Sequence, residues 1–176
     1  MVLLGFMTSG KTQVGRALAS QLGWTHVDLD REIERATGET IARIFADQGE
    51  PEFRRLEVQS TPRLLAAEHI VLSPGGGWIT NQGLFESLPP DTLTVWLKVS
   101  PDIVARRLRR SRSRTVRPLL QEPDATRIAE LLAERIPLYE KAAFHIDTDR
   151  LPVSRIAAEI AQIVRPGRPR SITPDT

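Results

Sequence analysis

The chain has 176 residues, 40% of them hydrophobic and 26% charged, the size and balance of one domain with a sizeable core and not of a collagen-like, mucin-like or wholly disordered chain. It carries no cysteine and three scattered histidines, His26, His69 and His145, which removes disulfides, iron–sulfur clusters and thiolate zinc and argues against a histidine metal site. No apolar run approaches the roughly 18–20 residues that cross a bilayer and no signal segment opens the chain, so a cytoplasmic protein with no membrane partner is expected.

Net charge is only +2, but the positive field is local: arginines crowd into 106–117, RRLRRSRSRTVR. Such a patch suits phosphates or carboxylates, on nucleic acid or on a small anion. Composition does not choose between them. The cluster contains no aromatic residue of the kind that interleaves with bases, and no DNA-binding motif is present, so no nucleic-acid partner is expected.

In chain order, residues 2–4 (VLL) run apolar up to Gly5, as a buried parallel strand does. Its length, about four residues or roughly 13 Å, raises the expectation of a native start further upstream or of a trimmed chain. A glycine-bearing turn leads into residues 11–22, where Val14, Ala17, Leu18 and Leu22 trace a helical stripe that Gly23 is placed to stop. Residues 25–29 read as a second strand. Helical stretches follow over 32–37, 40–47 and 52–68, broken by Gly38 and by Gly49-Glu50-Pro51. HIVLS (69–73) is a third strand, ended by Pro74 and three glycines, and TLTVWLKV (92–99) a fourth. Helices over 101–110 and 124–141, a fifth strand near 144–147 and a helix over 153–164 complete the pattern. Short apolar strands alternating with helices predict an α/β fold: a five-stranded parallel sheet between two helical layers, α/β/α. The proline-rich end, residues 166–176, is expected to be disordered and the domain to span 1–165.

Gly5-Phe6-Met7-Thr8-Ser9-Gly10-Lys11-Thr12 matches G-x-x-x-x-G-K-[ST], and it lies where the motif must, between a strand and a helix. Glycines let successive backbone N–H groups face a phosphate, and the helix N-terminus adds partial positive charge. Thr8, Ser9, Gly10, Lys11, Thr12 and Gln13 are therefore the candidate nucleotide-binding residues. Lys11 can reach the β- and γ-phosphates and the Thr12 hydroxyl can ligate Mg²⁺. A nucleoside triphosphate is expected. Asp28 and Asp30 fall at the end of the second strand, where open α/β sheets bind ligands. One can serve a metal and the other accept a proton from an alcohol; the alternative is helix capping, which the following REIE would suit. Gly75-Gly76-Gly77 permits close backbone approach to a ligand or is simply a flexible turn.

GFMTSGKTQVGRALASQLGW, DLDREIE, GETIARIF, GEPEFRRLE, PGGG, VRPLL and ERIPLYEKAA, in this order from Val2 to about Val164, together resemble the shikimate kinase family. The resemblance implies the nucleoside-monophosphate-kinase-like P-loop fold with a mobile lid, here about residues 110–123. It implies ATP-dependent phosphorylation of the 3-hydroxyl of shikimate in chorismate and aromatic amino-acid biosynthesis, with ATP and Mg²⁺ as cofactors and a monomer as the working state. By the same resemblance Arg54 and Arg135 grip the shikimate carboxylate, as a planar guanidinium fork can, and Glu57 steadies Arg54. Asp30 binds the ring hydroxyls and orients or deprotonates the attacking one, and Asp28 contacts Mg²⁺. Gly75, Gly76 and Gly77 form the pocket's backbone wall. Arg117 is the lid arginine on the transferring phosphoryl group, Arg110 stacks on adenine, and Arg150 flanks the base.

The chain departs from the family pattern in places. Thr8 replaces a small Gly or Ala, Trp78 follows the glycines where a smaller residue is usual and is expected to narrow or reshape the pocket, and Arg112 and Arg114 add charge to the lid. A shikimate-kinase-like ligand sensor and a kinase of gluconate or another polyol are the competing readings. The sensor would need a DNA-binding segment and should have lost Arg54, Arg117 and Arg135. Two carboxylate-gripping arginines with GGG favour shikimate over a polyol.

Overall fold

The computed structural model describes residues 1–110 and 125–164; the expected lid with Arg112, Arg114 and Arg117, and the tail 166–176, lie outside them. Strands β1 (Val2–Leu4), β2 (Thr25–Asp28), β3 (Ile70–Ser73), β4 (Thr94–Lys98) and β5 (Phe144–Asp147) form one sheet in the order β2-β3-β1-β4-β5. All four pairings are parallel. The expected five-stranded parallel sheet is present.

The helices are α1 (Lys11–Leu22), α2 (Leu29–Thr37), α3 (Ile41–Leu65), α4 (Pro101–Arg110), α5 (Ala125–Tyr139) and α6 (Val153–Val164). Strand side chains alternate between faces, which splits the core in two. Leu3, Val71, Val95, Leu97 and Ile146 pack with Val14 and Leu18 of α1 and Ile156 and Ile160 of α6. Val2, Leu4, Leu72 and Trp96 pack on the other side with Ile44 and Phe53 of α3, Val104 of α4 and Ile128, Leu132 and Tyr139 of α5. That is the three-layer sandwich. Chains leaving β1 and β3, which are neighbours, travel to opposite sides of the sheet, so a crevice opens between their carboxyl ends.

Boundaries differ from the sequence reading where capping decides them. The second strand stops at Asp28, whose side chain caps α2, so Leu29 is already helical. The expected break is present within α3 at Gly49, whose backbone is not helical (φ 81°, ψ 174°); Pro51 sits just beyond, as the first turn of a new helical segment tolerates. A short 3₁₀ turn over Trp78–Thr80 was not foreseen.

Trp78 corrects an expectation. It does not narrow the pocket: its side chain is fully buried in the core, and the indole N–H donates to Thr61 Oγ1 at 3.0 Å. Trp78→Ala should therefore destabilise the protein by about 3–5 kcal/mol, read by denaturant unfolding. Trp78→Phe should cost clearly less, because it keeps most of the volume and loses one hydrogen bond. A tryptophan lining the pocket would instead show a small stability change and a large change in substrate affinity.

Candidate active site

The phosphate loop is held in shape by the chain itself. Gly10 takes the left-handed conformation (φ 95°) and caps α1 without a side-chain hydrogen bond, leaving the first-turn N–H groups for an anion. A Cβ placed on Gly10 would meet nothing within 4 Å, so there is room over the loop. Thr8 Oγ1 and Ser9 Oγ are buried without hydrogen-bond partners. These features fit the phosphates of a nucleotide. The Lys11 ammonium donates to the carbonyls of Gly5 (2.7 Å) and Phe6 (2.9 Å), which stations the charge inside the loop.

Thr8 is β-branched yet has φ 60°, a conformation that costs energy unless the surroundings enforce it. Arg107 supplies part of that enforcement. Its Nη1 donates to the Thr8 carbonyl at 2.8 Å and its Nη2 to the Thr148 carbonyl at 3.1 Å, tying the loop to the segment after β5. The sequence reading singles out Arg110 in this run, for the adenine, and passes over Arg107; Arg110 lies exposed on the last turn of α4. Helical phase was the available signal: Arg107 is one turn beyond buried Val104, on the inward side. Ser73 was missed as well. Its hydroxyl donates to the Lys11 carbonyl (3.2 Å) and is 3.1 Å from His26 Nε2, bracing the first turn of α1.

Thr12 Oγ1 donates to Asp28 Oδ2 at 3.0 Å, while Asp28 Oδ1 accepts from the Arg31 N–H at 3.4 Å. Asp28 is thus both a helix cap and a partner of the loop, so the two readings of this carboxylate are compatible. A hydroxyl beside a carboxylate is an oxygen donor set suited to Mg²⁺, which takes few protein ligands and completes its shell with phosphate and water. Among the described residues no group of three or more His, Cys, Asp or Glu side chains could cage a metal alone. The site fits an ion that arrives with the nucleotide.

Beside the loop, the Gly75-Gly76-Gly77 turn gathers the remaining candidates. A Cβ on Gly76 would come within 2.9 Å of the Met7 amide nitrogen, and one on Gly77 would overlap the Arg54 guanidinium. Glycine is required by proximity here, so the turn is not merely flexible. The Gly76 carbonyl accepts from Arg135 Nη1 (3.3 Å) and from the Tyr139 hydroxyl. Arg135 also lies over the Phe6 ring, 5.5 Å from its centroid. Asp30 Oδ1 and Glu57 Oε1 both face Gly75, 3.3 and 3.4 Å from where its Cβ would be, and both are buried without hydrogen-bond partners. Asp30, Arg54, Glu57, the three glycines and Arg135 therefore converge on one wall that rests against the phosphate loop.

The electrostatics follow from that crowding. Burial, then the neighbouring Glu57 and Asp28 carboxylates, push Asp30 up to about 7 against the pull of Lys11. Burial also raises Glu57, opposed by Arg54 and Asn81. Asn81, which sequence reasoning missed, donates to Glu57 Oε2 at 2.8 Å. An aspartate poised near neutrality is suited to taking a proton from an alcohol.

The shikimate kinase family profile matches residues 7–165. The chain belongs to the shikimate kinase family. Members of this family use ATP as the phosphoryl donor. The shikimate kinase of Chlorobaculum tepidum is 40% identical over 172 residues, covering 93% of this chain and 87% of that protein. That of Mycobacterium avium is 46% identical over 151 residues, covering 85% and 84%. The structure of the Acinetobacter baumannii shikimate kinase in complex with shikimate superposes with a TM-score of 0.84 at 37% identity, covering 93% of this chain and 90% of that one. Three residues expected at the nucleotide lie on the surface. Gln13 is exposed on the first turn of α1, Arg110 is exposed at the end of α4, and Arg150 is exposed in the segment joining β5 to α6. Among the described residues no helix is long and apolar enough to cross a membrane.

Proposed function

We infer that this chain transfers the γ-phosphoryl group of ATP to the 3-hydroxyl of shikimate, giving shikimate 3-phosphate and ADP, as a cytoplasmic monomer supplying chorismate biosynthesis. One observation carries the reading: two arginines and an aspartate meet at a glycine wall that packs directly on the phosphate loop. A small ligand with a carboxylate at one end and hydroxyls at the other satisfies both ends of that wall.

In this reading Arg54 and Arg135 hold the carboxylate, which turns a hydroxyl toward Asp30. Asp30 accepts its proton as the oxygen bonds to the γ-phosphorus and the bond from that phosphorus to the β,γ-bridging oxygen breaks. The loop N–H groups and Lys11 stabilise the charge that develops on the phosphoryl oxygens. Thr12 and Asp28 hold Mg²⁺, which when bound offsets phosphate charge. Arg117, which lies outside the described residues, is assigned to the transferring group, and Arg110 and Arg150 to the adenine. Arg107 braces the loop. No nucleic-acid or membrane partner enters the scheme.

A coupled ADP-release assay with shikimate, quinate, gluconate and no acceptor tests the substrate. Shikimate should be turned over far faster than the others. The carboxylate is tested by its methyl ester. Wild type should strongly prefer the acid, and Arg54→Ala should weaken shikimate binding by about ten- to a hundredfold, the scale of charge-assisted hydrogen bonds in a closed pocket, while losing most of that preference. Arg135→Ala should behave alike, and lysine at either position should rescue only in part because it lacks the fork. Equal use of acid and ester by wild type would remove the carboxylate from the reading and promote a polyol kinase.

A further inference from the structure

The Arg54 guanidinium is engaged on two sides by carboxylates of its own helix. Nη1 donates to Glu57 Oε2 at 2.6 Å. Nε and Nη2 both donate to Glu50 Oε1, at 3.1 and 2.7 Å. The Nε/Nη2 edge is one on which arginine takes a carboxylate side-on. Glu50 therefore holds, with a carboxylate supplied by the chain, an edge that an incoming carboxylate would use.

The two glutamates are not equivalent. The Glu57 side chain is wholly buried and also receives Asn81, so it is a fixed part of the wall. The Glu50 side chain is 44% exposed and directly follows Gly49, where the helical backbone is broken (φ 81°, ψ 174°). A rotation of its side chain returns its carboxylate to water. Charge points the same way. Arg54 and Glu57 neutralise each other, so Glu50 leaves this group of three negative, and an acid entering beside it meets repulsion that Arg135, on the Gly76 carbonyl, helps to offset.

We propose that Glu50 is an affinity- and specificity-determining residue that occupies the Arg54 fork as an internal carboxylate and is displaced when the acceptor's carboxylate binds. The proposal rests on reading this pocket as the shikimate site. A half-exposed ion pair is weak, so the exchange is reversible, and Glu50 re-forms its pair as the phosphorylated acid leaves.

Glu50→Gln in the full chain removes the competing charge and keeps the shape. The shikimate KM should fall roughly two- to fivefold, the scale of a half-exposed ion pair, with kcat and the ATP KM unchanged. Glu50→Ala should show the same direction, and Glu52→Gln, on the exposed Arg55 pair, should change nothing. The methyl ester should gain less than the acid, because it carries no charge to be repelled. A shikimate KM that stays level or rises would make Glu50 a support for Arg54 and overturn the proposal, as would equal gains for acid and ester. Wild type that fails to phosphorylate shikimate would sink the functional reading itself; wild type that succeeds while Glu50→Gln gains nothing sinks only the role of Glu50.

Discussion

Lys11→Ala should lower turnover by about 10³-fold or more, because it removes the one charge in the loop placed to follow the phosphoryl oxygens as they gain negative charge. The ammonium is buried on the carbonyls of Gly5 and Phe6, so the substitution also takes a donor from two loop carbonyls. A stability loss of about 1–2 kcal/mol is expected from that alone, small enough for the fold to persist. Shikimate binding should survive, since Arg54 and Arg135 are on α3 and α5. The measurement is turnover with saturating ATP, together with thermal unfolding and a shikimate titration on the same preparation. Near-normal turnover in a folded variant would defeat the kinase reading.

What the sequence made legible was what neighbouring residues decide. α1 begins after a left-handed Gly10 and ends at a left-handed Gly23, and both glycines stand where the pattern needs them. The bounds of α4, β5 and α6 agree with the sequence reading for the same reason: apolar period and breakers are local. Where two local signals overlapped, the reading slipped. Asp28 looks like the end of a strand and also caps a helix, and the cap moved the start of α2 back to Leu29. Long-range packing was not legible. Trp78 finds its partner in Thr61, seventeen residues earlier on α3, and nothing near the glycines signals that. The arginine run 106–110 shows the intermediate case. Its composition names a positive surface, but only the phase of α4 against the sheet selects Arg107 for the loop. Of the glycine wall, motif resemblance supplied Asp30, Arg54, Glu57 and Arg135, whereas the reason glycine is needed at Gly77 appears only with the Arg54 guanidinium in place.

Asp30→Asn should reduce kcat by about 10²–10⁴-fold, the loss expected when a general base is removed, with ATP affinity nearly unchanged. The pH profile makes the test sharper. With Asp30 pushed up to about 7, kcat/KM of wild type should rise with pH through that value, since the base form must be present in the free protein. The asparagine variant should lose that limb. Stability should move the opposite way. The folded protein keeps the Asp30 proton up to about 7, while the unfolded chain releases it near the ordinary value of 3.8. Its contribution to stability is therefore full below about pH 4 and is lost as pH rises toward and through 7. Asp30→Asn never has to bury that charge, so above pH 7 it should be more stable than wild type, by a few kcal/mol at most. A protein that is more stable and catalytically crippled is the signature of a carboxylate kept buried for chemistry. A variant that keeps kcat but binds ATP poorly would instead place Asp30 at the metal, beside Asp28, and leave the acceptor hydroxyl without a base.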